Sequence, residues 1–406
     1  MTRAIVVMVV LLQVASGASL AQAPGTPRIE PVTDRQLTDQ QRALVASYVR
    51  GGLTNDVRML LTHPAAIPGM MPFWNYIAFE STLSPHDRAV LMLRTAWNAR
   101  SRYLWAKYAS AATPLLTATD LQRLQSATAP GGSGFDATLL RAADDLHRRS
   151  FVDDGTWMAL DAQYDTEQLM DAVFTVAETT MLAGLVESTG VPVDPGFTGP
   201  VPAWPPRQAL GRDHPILTMP RIPPLEQTFW TGELRALLDP DATGRNIAAI
   251  YRTFAQHPAL YRPRQELSEY IRTGSTLPPR VRELAILRIG FLCGSEYEWA
   301  AHAPAGRAAG LTAQEIARIA TTPLATSPAV PVAGWTPGDA AVIRAADELF
   351  ASDTVSDRTW TALAGTLDSR QRIDLVIAIG GYRMVSMALN TFGVPLEANS
   401  ERMPAR

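Results

Sequence analysis

The chain of 406 residues contains a single cysteine, Cys293. An intramolecular disulfide is therefore excluded, and so is any site built on two thiols of one chain. Charge of one sign is not in excess: 36 Lys and Arg stand against 39 Asp and Glu, for a net charge of −3. Nucleic-acid binding needs a basic face, and docking to a membrane surface needs a polybasic run. With neither present, no nucleic-acid or membrane partner is expected. No stretch alternates apolar and polar residues in the manner of a strand, which leaves an all-α fold.

The N-terminus reads as a targeting segment. "MTRAIVVMVVLLQVASGASLAQA" has Arg3, an apolar run from Ala4 to Val14, and a small-residue exit at Ser19-Leu20-Ala21. That order predicts a signal peptide over residues 1–21, with cleavage after Ala21. The run is too short for a bilayer span, which needs roughly 20 residues. A soluble protein of the periplasm or the exterior is expected.

What the chain does have is a repeat. Residues 257–302 align without a gap on residues 63–108 at an offset of 194. "STLPPRVRELAILR" (275–288) answers to "STLSPHDRAVLMLR" (81–94), and "YEW" (297–299) to "YLW" (103–105). After small shifts, "DAAVIRAADELF" (339–350) answers to "DATLLRAADDLH" (136–147), and "FGVPLE" (392–397) to "TGVPVD" (189–194). A unit of this length is a domain, so the pattern predicts two tandem helical-bundle repeats, 42–194 and 241–397. Between them, residues 192–224 hold ten of the 31 prolines, so 195–240 is expected to be an extended connector that packs onto the body in places.

In the second copy, helices are predicted from Pro278 to Leu292 and from Ser295 to Ala309, separated by Gly294. Thr312, with Glu315 three residues on, reads as the capping box of the next helix. Glu298 and His302 are spaced i, i+4 and share a helix face, and the hairpin turns Glu283 back toward them. Two carboxylates and an imidazole in a dry cleft make an acid–base system. Each residue also has a structural reading: Glu298 as capping-box partner of Ser295, His302 as a core histidine, Glu283 as a first-turn acid. The first copy carries Ala89, Leu104 and Tyr108 there, yet keeps Ser101, Tyr103, Trp105 and Arg94. The trio is therefore not required by the hairpin, which favours function. Arg288, matched by Arg94, reads as scaffold, and Trp105 and Trp299 are expected in equivalent buried places.

Glu283, the "YEWAAH" run, "AGLTAQEI" and the late "GGYRMVSMALNTFGVPLE" resemble the carboxymuconolactone decarboxylase family, which includes the AhpD-like thiol enzymes. The resemblance covers both copies and implies all-helical units that associate into homo-oligomers. The thiol branch carries Glu, then Cys-x-x-Cys, then His after three intervening residues. Here the two cysteine positions fall on Ser295 and Glu298, and Cys293 reads as a small buried side chain. The decarboxylase branch implies a small-molecule substrate, no cofactor and no metal, and a Glu/Glu/His centre at Glu283, Glu298 and His302. Arg307, Tyr382 and Asn390 are candidates for the substrate-binding rim. The leading expectation is a lyase acting on a small carboxylated molecule. A redox protein using Cys293 and a non-catalytic exported binding or assembly module are the alternatives.

Overall fold

The computed structural model describes residues 26–126, 134–197, 202–205, 210–211, 213–241, 243–244, 246–325 and 332–404. The expected signal peptide, 1–21, lies outside them. The described residues form eighteen α-helices and no strand, so the protein is all-α.

In the first half, α1 (Asp39–Tyr48) and α2 (Asn55–Leu60) lead into α3 (Ala66–Asn75), which widens into a π-turn at Tyr76–Glu80. Then come α4 (Pro85–Asn98), α5 (Arg102–Ala112), α6 (Ala118–Arg123), α7 (Phe135–Arg149), α8 (Asp154–Asp161) and α9 (Thr166–Thr189). The connector carries a 3₁₀ turn at Gln227–Phe229 and α10 (Gly232–Leu238). In the second half, α11 (Ala249–Phe254) precedes α12 (Pro258–Glu269), again with a π-turn, at Tyr270–Gly274. They are followed by α13 (Pro279–Leu292), α14 (Glu296–Ala308), α15 (Ala313–Thr321), α16 (Pro337–Ser352), α17 (Asp357–Leu363) and α18 (Ser369–Phe392). The same order of elements thus occurs twice.

α9 and α18 pack against each other at the centre. Capping boxes at Asp165 and Asp368 start them, and Gly190 and Gly393 stop them in the left-handed conformation, at φ 72° and 70°. Both are long and apolar enough to cross a membrane, but their apolar stretches are 100% and 83% buried in protein, so here they are core helices. Their approach needs Gly380, where a Cβ would meet Met181 Cγ at 2.7 Å.

The two halves are joined by exchanged polar side chains. His63 of the first half places Nε2 3.1 Å from both carboxylate oxygens of Asp374 in the second, and 3.0 Å from the Tyr270 hydroxyl. Tyr270 donates to Asp374, as do the backbone and hydroxyl of Thr276, at 2.6 and 2.7 Å. In mirror fashion, His257 of the second half reaches Tyr76 at 2.8 Å and Asp171 at 3.3 Å in the first. Asp171 also accepts from Tyr76, Ser81 and Thr82. Burial, and then the adjacent carboxylate, raises both tyrosines far above the ordinary value, so they remain donors. Burial pushes Asp374 up too, but the bonds from His63, Tyr270 and Thr276 outweigh it and leave it below its usual value.

Arginine straps add to this. Arg28 binds the carbonyls of Ser188 and Val355, both at 2.7 Å, and the carboxylate of Asp357. Arg221 does the same with Thr391, Val152 and Asp154. Arg221 lies in the connector, where Ile222, Trp230 and Leu238 are also buried. Proline content announced an extended segment, but apolar anchors spaced between the prolines fold its later part onto the body.

Two outcomes are expected. His63→Ala and His257→Ala each strand a buried carboxylate and should lower unfolding free energy in urea by about 3–5 kcal/mol. Unchanged midpoints would show that the exchange is not structural. Glu178 on α9 is 1% exposed with neither oxygen hydrogen-bonded, and burial pushes it from 4.5 up to about 8. In that window the folded state keeps a proton that the unfolded state has lost, so its contribution to stability falls as pH rises, then levels off. Melting curves of Glu178→Gln should lack this decline and gain on the native chain by about 1 kcal/mol or more at pH 8.

Candidate active site

The hairpin of α13 and α14 is set by the turn between them. Gly294, at φ 68°, ends α13, and the Ser295 amide returns to the Gly290 carbonyl at 2.9 Å. The first half makes the same turn with Arg100 at φ 56° and Ser101 bonded to Ala96. Below it, Arg288 grips Asp347 at 2.6 and 3.0 Å and the carbonyls of Ile319 and Thr322. Arg94 makes the matching set with Asp144, Leu124 and Ser126. Arg288 is scaffold, and Trp105 and Trp299 are both 1% exposed.

On this frame the three ionisable side chains converge. His302 Nδ1 lies 2.7 Å from Glu283 Oε2, and its Nε2 lies 3.4 Å from Glu298 Oε2. Glu283 is 5% and Glu298 4% exposed. Glu283 sits behind the imidazole and also accepts from Arg282 at 3.3 Å. Its carboxylate favours the proton on Nδ1, which turns Nε2 toward Glu298. Burial raises the Glu298 pKa, with Glu283 adding to the shift and His302 and Arg264 opposing it. Glu298 therefore holds its proton to higher pH than an exposed glutamate does.

The capping reading fails in one half of its geometry. Ser295 caps α14 by accepting the Glu298 amide at 3.4 Å, but no reciprocal bond returns from the Glu298 carboxylate, which faces His302. Ser101 caps α5 in the same way with Leu104 in that place, at 3.3 Å. The glutamate is not there for the cap.

His302 and Glu298 line a cavity of about 190 Å³ together with Tyr251, Arg264, Tyr297 and Tyr382. Tyr382 stands edge-on to the imidazole, ring centres 4.7 Å apart, and burial raises its pKa far above the ordinary value. Of the three rim candidates, it alone lines this cavity. Arg307 faces outward and pairs with Glu401 at the surface. Its guanidinium could hold a substrate carboxylate, but five residues beyond His302 the helix twist turns it away from the cavity. Asn390 bonds the carbonyls of Cys293 and Ser150, at 2.9 and 3.2 Å, and borders a different cavity. It secures the end of the hairpin.

Arg264 went unrecognised in the sequence. It is 5% exposed on α12, lies 4.7 Å over the Phe254 ring, and bonds Gln265 through Nη1 at 3.0 Å. Its Nε is buried without a hydrogen-bond partner, and burial lowers its pKa. A buried guanidinium with an unmet donor beside a cavity suits a carboxylate. The aligned residue of the first half is Met70, and that difference was the available signal.

Cys293 is fully buried, and burial pushes its thiol pKa up, which opposes thiolate formation.

Fold and geometry together define an all-helical domain with a buried carboxylate–imidazole–carboxylate centre. Residues 258–336, from α12 to the cap of α16, match the carboxymuconolactone decarboxylase family, and this segment belongs to it. It contains Arg264, Glu283, Glu298 and His302. No curated protein matches the chain.

Cys293 should react with a disulfide thiol reagent only after denaturation, and Cys293→Ser should keep the native melting profile within a few degrees, roughly the effect of about 1 kcal/mol. Rapid labelling of the native chain would return the thiol to consideration.

Proposed function

We propose that the chain is an exported, cofactor-independent lyase that uses acid–base chemistry on a small carboxylated molecule. The observation that carries this reading is that His302 and Glu298 meet at one cavity wall with Glu283 bonded behind the imidazole, where the first half has Tyr108, Leu104 and Ala89. Arg264 holds the substrate carboxylate. Removal of a carboxyl group, or of a proton next to a carbonyl, leaves an enolate-like charge and a carbon to be protonated. His302 takes up a proton at Nε2, from solvent or from the substrate, while Glu283 holds Nδ1–H. The imidazolium then delivers it to that carbon, while Glu298 in its protonated form donates to the developing oxyanion.

The same proposal includes the architecture: two duplicated units, 42–194 and 241–397, of which the second carries the chemistry. The recurring order of elements supports it. Homo-oligomers and a periplasmic or secreted location belong to it as well.

The purified chain should be offered small keto- and lactone carboxylates, scoring carbon dioxide release and deuterium incorporation from heavy water. With any substrate so found, His302→Ala should cost on the order of 10²-fold or more in kcat. Arg264→Met should raise KM more than it lowers kcat. Arg307→Ala should change neither. Full turnover by the His302 variant would overturn the reading.

A further inference from the structure

We propose that the first half holds a second, non-catalytic ligand site, which takes an apolar monoanion: an aryl or alkyl carboxylate whose charged end meets Arg88. The site is the cavity that occupies the place of the acid–base centre in the other half, bordered by Ala89 and Tyr108. It measures about 520 Å³ against about 190 Å³ there, within the usual range of small-molecule sites, ~300–1,000 Å³. Met71, Trp74, Phe79 and Met92 supply apolar walls.

Three cationic side chains border this cavity, and two already have partners. Arg50 pairs with Glu80 and lies 5.1 Å over Phe79. Lys107 pairs with Asp56 at 2.5 Å and lies 4.7 Å over Trp74. Arg88 is half-buried, and its guanidinium makes no hydrogen bond or ion pair among the described residues. The carboxylate that acts on it from a distance, Asp171, is already engaged by Tyr76, Ser81 and Thr82.

The other half shows what Arg88 lacks. Its aligned residue, Arg282, bonds the neighbouring Glu283 at 3.3 Å. In the first half Glu283 is replaced by Ala89, so the carboxylate is gone while the guanidinium stays at the cavity. Leu104 and Tyr108 replace Glu298 and His302, which removes the means to move a proton. The cavity is wide and largely apolar and keeps one guanidinium with no direct partner among the described residues, which gains most from a bidentate carboxylate.

The test uses the full chain, calorimetry, and two probes of similar shape, 2-naphthoate and the uncharged 2-naphthalenemethanol. Arg88→Met should weaken 2-naphthoate by about tenfold or more and leave the alcohol unchanged, since only the charged contact is lost. Arg88→Lys should recover part of the loss. Ala89→Trp, which fills the cavity, should abolish both while melting cooperatively, and Arg264→Met should leave 2-naphthoate binding intact. Unchanged affinity in Arg88→Met, loss in Arg264→Met instead, or no binding of 2-naphthoate at all would each overturn the proposal. Because the readout is binding, it stands or falls apart from the lyase reading.

Discussion

The crosswise exchange of His63 and His257 is the constraint on which the rest of the structure depends. Each half buries an aspartate, Asp171 or Asp374, to which its own tyrosine and threonine donate. The remaining partner is an imidazole from the other half. A buried carboxylate short of a donor is expensive, and the cost is much larger than the net worth of the finished network. Each half therefore completes a buried network of the other. The network also sets geometry. Thr276 precedes α13 and Tyr270 ends α12, so Asp374 ties to α18 the two helices that carry Glu283 and Arg264.

From that anchor the site is reached through a frame common to both halves. The tight turn, the serine cap, the arginine–aspartate clamp and the buried tryptophan occur in each. The halves differ in the substituents on the frame. Gly290 shows how closely they are fitted, because a Cβ there would stand 3.2 Å from the Glu298 Cβ. The first half has Ala96 at the aligned position and no glutamate opposite it.

Local and repetitive features were legible in the sequence. The helical class, the ends of α13 and α14 within a residue or two, the capping box at Thr312, and Arg288 as scaffold followed from spacing and from comparing the copies. The meeting of Glu283 with His302 followed too, because an antiparallel hairpin leaves few other places for them. Features that depend on packing between halves were hidden. The "HPA" stretch is visible in both copies, but nothing in it says that each histidine serves the other copy's aspartate. Arg307 was assigned for its guanidinium and Asn390 for its difference from Glu187 in the first copy, whereas helix rotation decided where they point. Arg264 was readable in principle, as an arginine aligned with Met70 on an otherwise apolar face. It was passed over because α12 precedes the motif that drew attention.

A buried acid is not what separates the halves. Burial raises Glu178 in the first and Glu298 in the second, and each has a cation that opposes the shift, Lys107 in one case and Arg264 in the other. Both carboxyls are thus poised to hold a proton nearer neutrality. In the first half the neighbouring ring is Tyr108, whose pKa burial raises well above its ordinary value, so it stays a neutral phenol near neutral pH. In the second the ring is an imidazole, with Glu283 behind it fixing its orientation. An imidazole between two carboxylates can accept at one nitrogen while the other stays bonded, and this can repeat without rearranging the core. The two cavities differ in that replacement and in the glutamate supporting it.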